Sequence, residues 1–247
     1  MSTTSVALAR RSLVILCGIS TSVAPAAYDT NDPDQLYARR EQLQCALEAA
    51  ALWNERLQNG AGDFEAAWKL ARASYWLGSH VAVGAQRMQY QKGVEAAKQA
   101  IALDPRRPEG HFWMAANMGA LAELLGPGAG LKYRGAIKKE LQAVLRIDPG
   151  FQRGAADRAL GRWYLKVPRL FGGSKKKAIE HMKRSLAYDP ESAASRYFLA
   201  ETYLQMNRDE EARRELERVL DASLDPDWGP ETREFQRKAR RLLDDWR

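Results

Sequence analysis

A chain of 247 residues with 45% hydrophobic content can bury one large core or one continuous solenoid core, which excludes a disordered protein. Its formal charge of +7 arises from 38 basic and 31 acidic residues scattered along the whole length. That is the pattern of solvated helix faces, and no recognition motif accompanies it, so no nucleic-acid partner is expected.

The amino-terminal 26 residues differ from all that follow: Arg10 and Arg11, then SLVILCGISTSV, then Ala24-Pro25-Ala26, with no acidic residue before Asp29. A positive region, a short apolar core and small residues in this order predict a secretory signal peptide over 1–26, cleaved before Ala27. The expected mature domain is then 27–247, exported and periplasmic. The apolar core is too short for a stable membrane span. Cys17 follows Val14, Ile15 and Leu16 rather than small residues, which speaks against lipid attachment. Cleavage would leave Cys45 alone, so no internal disulfide can form and packing must supply the stability.

Beyond Tyr28, alternating β-branched runs are absent while Ala, Leu, Glu, Arg and Lys recur at helical spacing, predicting an all-α protein. Asp-Pro steps fall at Asp104-Pro105, Asp148-Pro149, Asp189-Pro190 and Asp225-Pro226, separated by 44, 41 and 36 residues. Before the first three lie KGVEAAKQAIALDP, AIKKELQAVLRIDP and AIEHMKRSLAYDP. Four residues before each proline stand Ile101, Leu145 and Leu186; eight before it stand Ala97, Leu141 and Met182. Those offsets share one helix face, so each segment is an amphipathic helix that ends where proline forbids continuation. They are three copies of one helix.

The helices after the Asp-Pro steps are patterned too. Leu160, Gly161 and Tyr164 stand at L-G-x-x-Y spacing, Leu199, Ala200 and Tyr203 repeat it, and Ala212, Leu216 and Val219 follow. This is the tetratricopeptide pattern, in which a small residue lets two antiparallel helices approach closely. The expected fold is a tetratricopeptide-type α-solenoid of antiparallel helix pairs, about ten helices in all. Trp68 and Tyr75 open one earlier pair, and Met114, Ala115 and Met118 open the next. Extra residues, SHVAVGAQRMQYQ, ELLGPGAGLKY and KVPRLFGGS, fall between paired helices, as longer helices or as covering loops.

The segments HFWMAANMGALAEL, RGAADRALGRWYLKVPRLFGGSKKKAIEHMKRSLAYDP and SRYFLAETYLQMNRDEEA, in order from about Pro108 to Ala212, resemble the T-component of tripartite TRAP transporters, the TatT-like proteins. The resemblance implies a periplasmic, ligand-carrying or partner-docking component with a hydrophobic cleft, working beside a substrate-binding protein. Related eukaryotic proteins regulate microtubules, which fits a secretory leader poorly. Many T-components are lipoproteins, and the missing lipid-attachment site separates this chain from them.

Sharper chemistries find no support in the residues. Gly172, Gly173, Ser174 and Lys175 stand in the wrong order for a phosphate loop, and neither they nor GPGAG at 126–130 follows a strand. His80, His111 and His181 share no helix turn, so no metal site is expected, and Glu180-His181 reads as a solvated edge. No G-x-S-x-G elbow occurs, and an enzyme is not expected. No cofactor is expected either. What remains is recognition by the concave face, which the first helix of each pair lines. Candidate binding residues there are Trp76, Phe112, Trp113, Asn117, Arg158, Arg162 and Tyr197, with Arg158 and Arg162 placed to clamp a carboxylate. Packing inside the helix pairs competes for the same aromatics. Two functions follow as expectations: a cleft for an apolar or amphipathic small ligand presented to a transport partner, or a scaffold that docks a peptide or partner subunit.

Overall fold

The computed structural model describes residues 31–60 and 62–246; the expected signal peptide over 1–26 lies outside them. Among the described residues the chain forms eleven α-helices and one 3-10 turn. These are α1 (Pro33–Ala38), α2 (Leu43–Asn59), α3 (Phe64–His80), α4 (Val83–Leu103), α5 (Pro108–Leu125), α6 (Pro127–Ile147), α7 (Phe151–Lys166), α8 (Lys175–Tyr188), α9 (Ala193–Leu204), α10 (Asp209–Asp221) and α11 (Gly229–Asp244), with the 3-10 turn at Arg169–Phe171. The expected all-α solenoid is what forms.

Antiparallel pairs α3/α4, α5/α6, α7/α8 and α9/α10 stack in chain order, and successive first helices touch one another, making α3, α5, α7 and α9 the inner layer. Asp104, Asp148 and Asp189 are the C-caps of α4, α6 and α8, as the Asp-Pro frame requires. Within that frame Ala97, Leu141 and Met182 are buried and Ile101, Leu145 and Leu186 half-buried, while Leu103, Ile147 and Tyr188, next to the caps, are exposed. Asp63, Ser174 and Ser192 cap α3, α8 and α9, accepting from the backbone amides of Ala66, Lys177 and Ser195, where the helix's first N–H groups lack partners.

Small residues set the pair spacing. A Cβ on Gly161 would sit 2.7 Å from Met182 Cε and 3.1 Å from the Ala178 carbonyl oxygen, so α7 and α8 are in backbone contact there. A Cβ on Gly93 would lie 2.2 Å from Asn117 Oδ1, and Gly93 is thus the seat of that side chain.

Two of the three insertions are lengthened helices. Only Val81 and Ala82 separate α3 from α4, and Gly126 alone separates α5 from α6; its φ of +87° is one that a side chain disfavours. Pro127 ends one helix by opening the next. The third insertion, between α7 and α8, is a true loop. It is fixed by bonds from Ser174 N to Tyr164 O (2.8 Å) and from Gly173 N and Phe171 N to Pro168 O (3.2 and 2.9 Å).

The C-terminal helix returns to the start of the array. Arg40, in the α1–α2 turn, reaches Glu231 with Nε at 3.1 Å and a terminal nitrogen at 2.5 Å, and donates to the Asp227 carbonyl oxygen at 2.6 Å. Arg233 pairs with Glu41, with Nε at 3.0 Å. Arg153 pairs with Asp225 at 2.7 Å from a backbone held at φ +55°, a left-handed conformation shared with Gln152 (φ +44°) that kinks the start of α7. Phe235 packs on Tyr197 and Phe198 of α9, ring centroids 5.4 and 5.3 Å apart. Thus α11 bridges α9 to the α1–α2 turn.

Candidate partner-binding groove

Charged groups of α5, α7 and α11 act on Tyr75 of α3. Arg158 and Arg162, one helical turn apart on α7, both act electrostatically on its hydroxyl, as do Glu123 of α5 and Glu234 of α11. Burial pushes the Tyr75 phenol up from its ordinary value, with Arg162 opposing. Nearby Tyr90 is pushed to about 12, again by burial first and then by Tyr75.

The two arginines differ in their partners. Arg162 is held by Glu123, Nε to Oε1 at 3.1 Å and a terminal nitrogen to Oε2 at 2.8 Å, and its guanidinium lies 4.6 Å over the Phe198 ring. This bidentate, stacked arrangement suits arginine's planar fork. Burial alone would lower its pKa; Glu123, Tyr75 and Glu201 outweigh it, and the net shift is upward. Arg158 is partly buried and, among the described residues, makes no ion pair or side-chain hydrogen bond. Burial holds its pKa below the ordinary value, against the weaker pull of Asp189 and Tyr75. Across the groove, Glu201 keeps Oε2 buried without a hydrogen-bond partner.

The remaining candidate residues divide between groove and core. Tyr197 stands in the groove, its phenol raised by burial and by Glu201, and its ring against Phe198 and Phe235. Trp76 is buried at the amino-terminal end of the array: Nε1 donates to the Arg40 carbonyl oxygen at 3.1 Å, and the ring stacks on His80 at 3.8 Å. It seats the α1–α2 turn. Phe112, Trp113 and Asn117 are absorbed by packing. Phe112 meets Trp113 and Phe151 edge-on, and Trp113 packs on Tyr75. Fully buried Asn117 donates to Ala71 O at 3.0 Å and Trp113 O at 2.8 Å, clipping α5 to α3.

Tyr75, Glu123, Glu234 and Phe235 belong to the groove but were not among the candidates. Tyr75 carried a signal, since it opens a repeat one residue before Trp76; the α11 residues carried none, because their partners lie far off in sequence. Arg72 is not a groove residue: its guanidinium stacks on Tyr37 (4.2 Å) and Trp68 (4.9 Å), beneath α1.

His181 departs from the solvated edge expected for it. Its Nδ1 lies 2.6 Å from Oδ1 of buried Asp157, which also accepts from Arg184 Nε at 3.0 Å, and its ring stacks on Tyr164; Glu180 alone is exposed. A buried carboxylate needs such partners. Among the described residues no group of three or more His, Cys, Asp or Glu could hold a metal, and no helix is long and apolar enough to cross a membrane. A recess of about 540 Å³ at the α7–α8 loop and one of about 320 Å³ beside His111 and Glu140 contain none of the candidate binding residues.

The fold is shared with solved structures. The thermophilic tetratricopeptide protein TTC0263 of Thermus thermophilus aligns over 87% of this chain and 99% of its own, with a TM-score of 0.65 and 23% identity. A MamA structure aligns over 86% and 99% with a TM-score of 0.51 and 16% identity. MamA of Desulfovibrio magneticus RS-1 aligns over 79% and 96%, with a TM-score of 0.51 and 18% identity. These likenesses establish the tetratricopeptide-type fold. No curated protein matches the sequence. A family model matches residues 30 to 247, and the chain belongs to the family that it describes, regulator of microtubule dynamics protein 1-3.

Proposed function

We propose that this protein is a non-enzymatic docking scaffold that holds an acidic, aromatic-bearing segment of a protein partner against its concave face. The observation that carries this reading is Arg158, a partly buried guanidinium that, among the described residues, no carboxylate pairs with directly, beside a neighbour of identical type that Glu123 holds bidentately. A partly buried guanidinium without an anion is incompletely hydrated, and a partner carboxylate would supply a charge-assisted pair. The chemistry of the partner is suggested by what already lies there. The segment leading into and along α11 is acidic and aromatic: Asp225 and Glu231 pair with Arg153 and Arg40, Glu234 acts on Tyr75, and Phe235 seats on Tyr197 and Phe198. A partner segment of the same character would extend or replace it, as groove-binding helices do. The family's description names microtubule dynamics, and a protein partner accords with that. An apolar small-molecule cleft draws no support from the two recesses, which lie away from Arg158 and Tyr197.

The test is to pan a random peptide library on the full chain and measure affinities of the enriched peptides. Acidic sequences with an aromatic residue are expected, and Arg158→Glu should weaken them by at least tenfold to a hundredfold, the roughly 1.5–3 kcal/mol of a charge-assisted hydrogen bond. Arg158→Lys should retain part of the affinity. No enrichment, or peptides that bind Arg158→Glu as well as the native chain, would refute the proposal.

A further inference from the structure

Stacked antiparallel pairs place all intra-pair turns on one edge of the solenoid and the Asp-Pro turns on the other. Along the first three pairs the intra-pair edge is built from segments 81–94, 124–139 and 165–179, in which every charged residue is Lys or Arg; the α9–α10 turn ends this stretch, since α10 opens on Asp209, Glu210 and Glu211. Apart from Lys139, which lies 4.0 Å from Glu140, none of these cations makes an ion pair among the described residues. The opposite edge behaves differently: Arg106 meets Asp104, Arg107 meets Glu65 and Glu109, and Arg153 meets Asp225.

The same basic edge carries apolar side chains at its tips. Val83 opens α4 at 79% exposure, Leu124 and Leu125 end α5 at 37% and 43%, and Leu170 in the α7–α8 loop is 87% exposed with Phe171 beside it at 39%. Leu170 is held outward by the loop itself. Gly173 fits where a Cβ would fall 1.7 Å from the Val167 carbonyl oxygen, and three backbone bonds clamp the turn below. The recess of about 540 Å³ under this loop is lined in part by Lys166, Arg169, Ser174 and Lys175. Leu103, Ile147 and Tyr188 are exposed on the opposite edge, but each directly precedes a capping aspartate.

We infer that the intra-pair edge is a docking surface for an anionic phospholipid bilayer, with Val83, Leu124, Leu125, Leu170 and Phe171 entering the headgroup region and the lysines and arginines behind them meeting lipid phosphates. Protruding apolar tips set in an unneutralised cationic rim complement an anionic interface, which buries the first and neutralises the second. An acidic protein surface would engage the cations and leave Leu170, on its fixed loop, in water. This inference is independent of the concave groove.

The test uses the full chain in co-sedimentation with vesicles of phosphatidylcholine alone and of equal parts phosphatidylcholine and phosphatidylserine. Binding to the anionic vesicles only, weakened by salt, is expected. Lys166→Gln with Lys176→Gln should weaken it about thirtyfold, from about 1 kcal/mol per basic residue near the surface. Leu170→Ser should weaken it about fivefold or more by withdrawing an apolar side chain from the interface. Arg106→Gln, on the opposite edge, should leave it unchanged. All variants keep the same first 30 residues, so any binding by that segment is common to them. Equal binding by native chain and edge variants, or no binding to the anionic vesicles, would overturn the inference. Capture of poly-glutamate through Lys166 and Lys176 without vesicle binding would replace the bilayer with an acidic polypeptide.

Discussion

Gly161→Leu tests whether the close approach of α7 and α8 is the pivot of the third pair. The first added atom already meets Met182 Cε at 2.7 Å, which a flexible thioether can relieve, and the Ala178 carbonyl oxygen at 3.1 Å, which only a shift of α8 can relieve. The remaining leucine atoms must enter space occupied by Met182, a fully buried side chain. Replacing a mid-helix glycine returns up to about 1 kcal/mol of backbone propensity, so the net cost is the overpacking of about 1–3 kcal/mol less that gain, or more where α8 cannot move. At about 2–4 °C per kcal/mol for a domain of this size, the thermal midpoint by circular dichroism should fall by a few degrees, and by about 10 °C if α8 stays fixed. Gly135→Ala is the matched control. A Cβ there meets nothing within 4 Å on an exposed stretch of α6, so it should stabilise by about 0.5–1 kcal/mol. A midpoint that rises in Gly161→Leu, as it should in Gly135→Ala, would refute both the contact and the repeat frame built on it.

Burial alone would raise the Asp157 carboxyl, but hydrogen bonds from His181 and Arg184 more than offset it, and its pKa lies below the ordinary 3.8. Its contribution to stability is therefore complete above the ordinary carboxylate range and lost as pH falls through the depressed value. Asp157→Asn should lower stability at neutral pH and flatten the loss on acidification, read from urea midpoints across pH. Arg40→Ala removes the contacts to Glu231 and Asp227 that hold the start of α11, so amide exchange should accelerate over 229–244 while α5 and α6 keep their protection; uniform acceleration would mean global destabilisation instead. The proposed signal peptide over 1–26 predicts a mature chain beginning at or near Ala27 by N-terminal sequencing, and a retained Met1 would refute it.

The helical class, the Asp-Pro stops and the small-residue positions Gly161, Ala200 and Ala212 were legible in the sequence because they are local. A 3.6-residue period, a proline without an N–H and a missing side chain each act within one or two helices. Arg158, Arg162 and Tyr197 were assigned to the inward helix face for the same reason, since the repeat frame fixes which face of each first helix points inward. What the sequence left open was how each residue's surroundings use it. Asn117 reads like a polar ligand group, but only the stacking of α3 on α5 brings the Ala71 carbonyl oxygen within 3.0 Å of it. His181 reads as exposed until α7 supplies Asp157. The return of α11 to Arg40 spans 191 positions, and no period or motif encodes it; it exists because the superhelix brings α11 within salt-bridge reach of Arg40 and Glu41. The contrast between paired and unpaired cations on the two edges was likewise set by tertiary structure. Composition counts the charges, whereas their neutralisation depends on which carboxylates the fold places within about 4 Å of them.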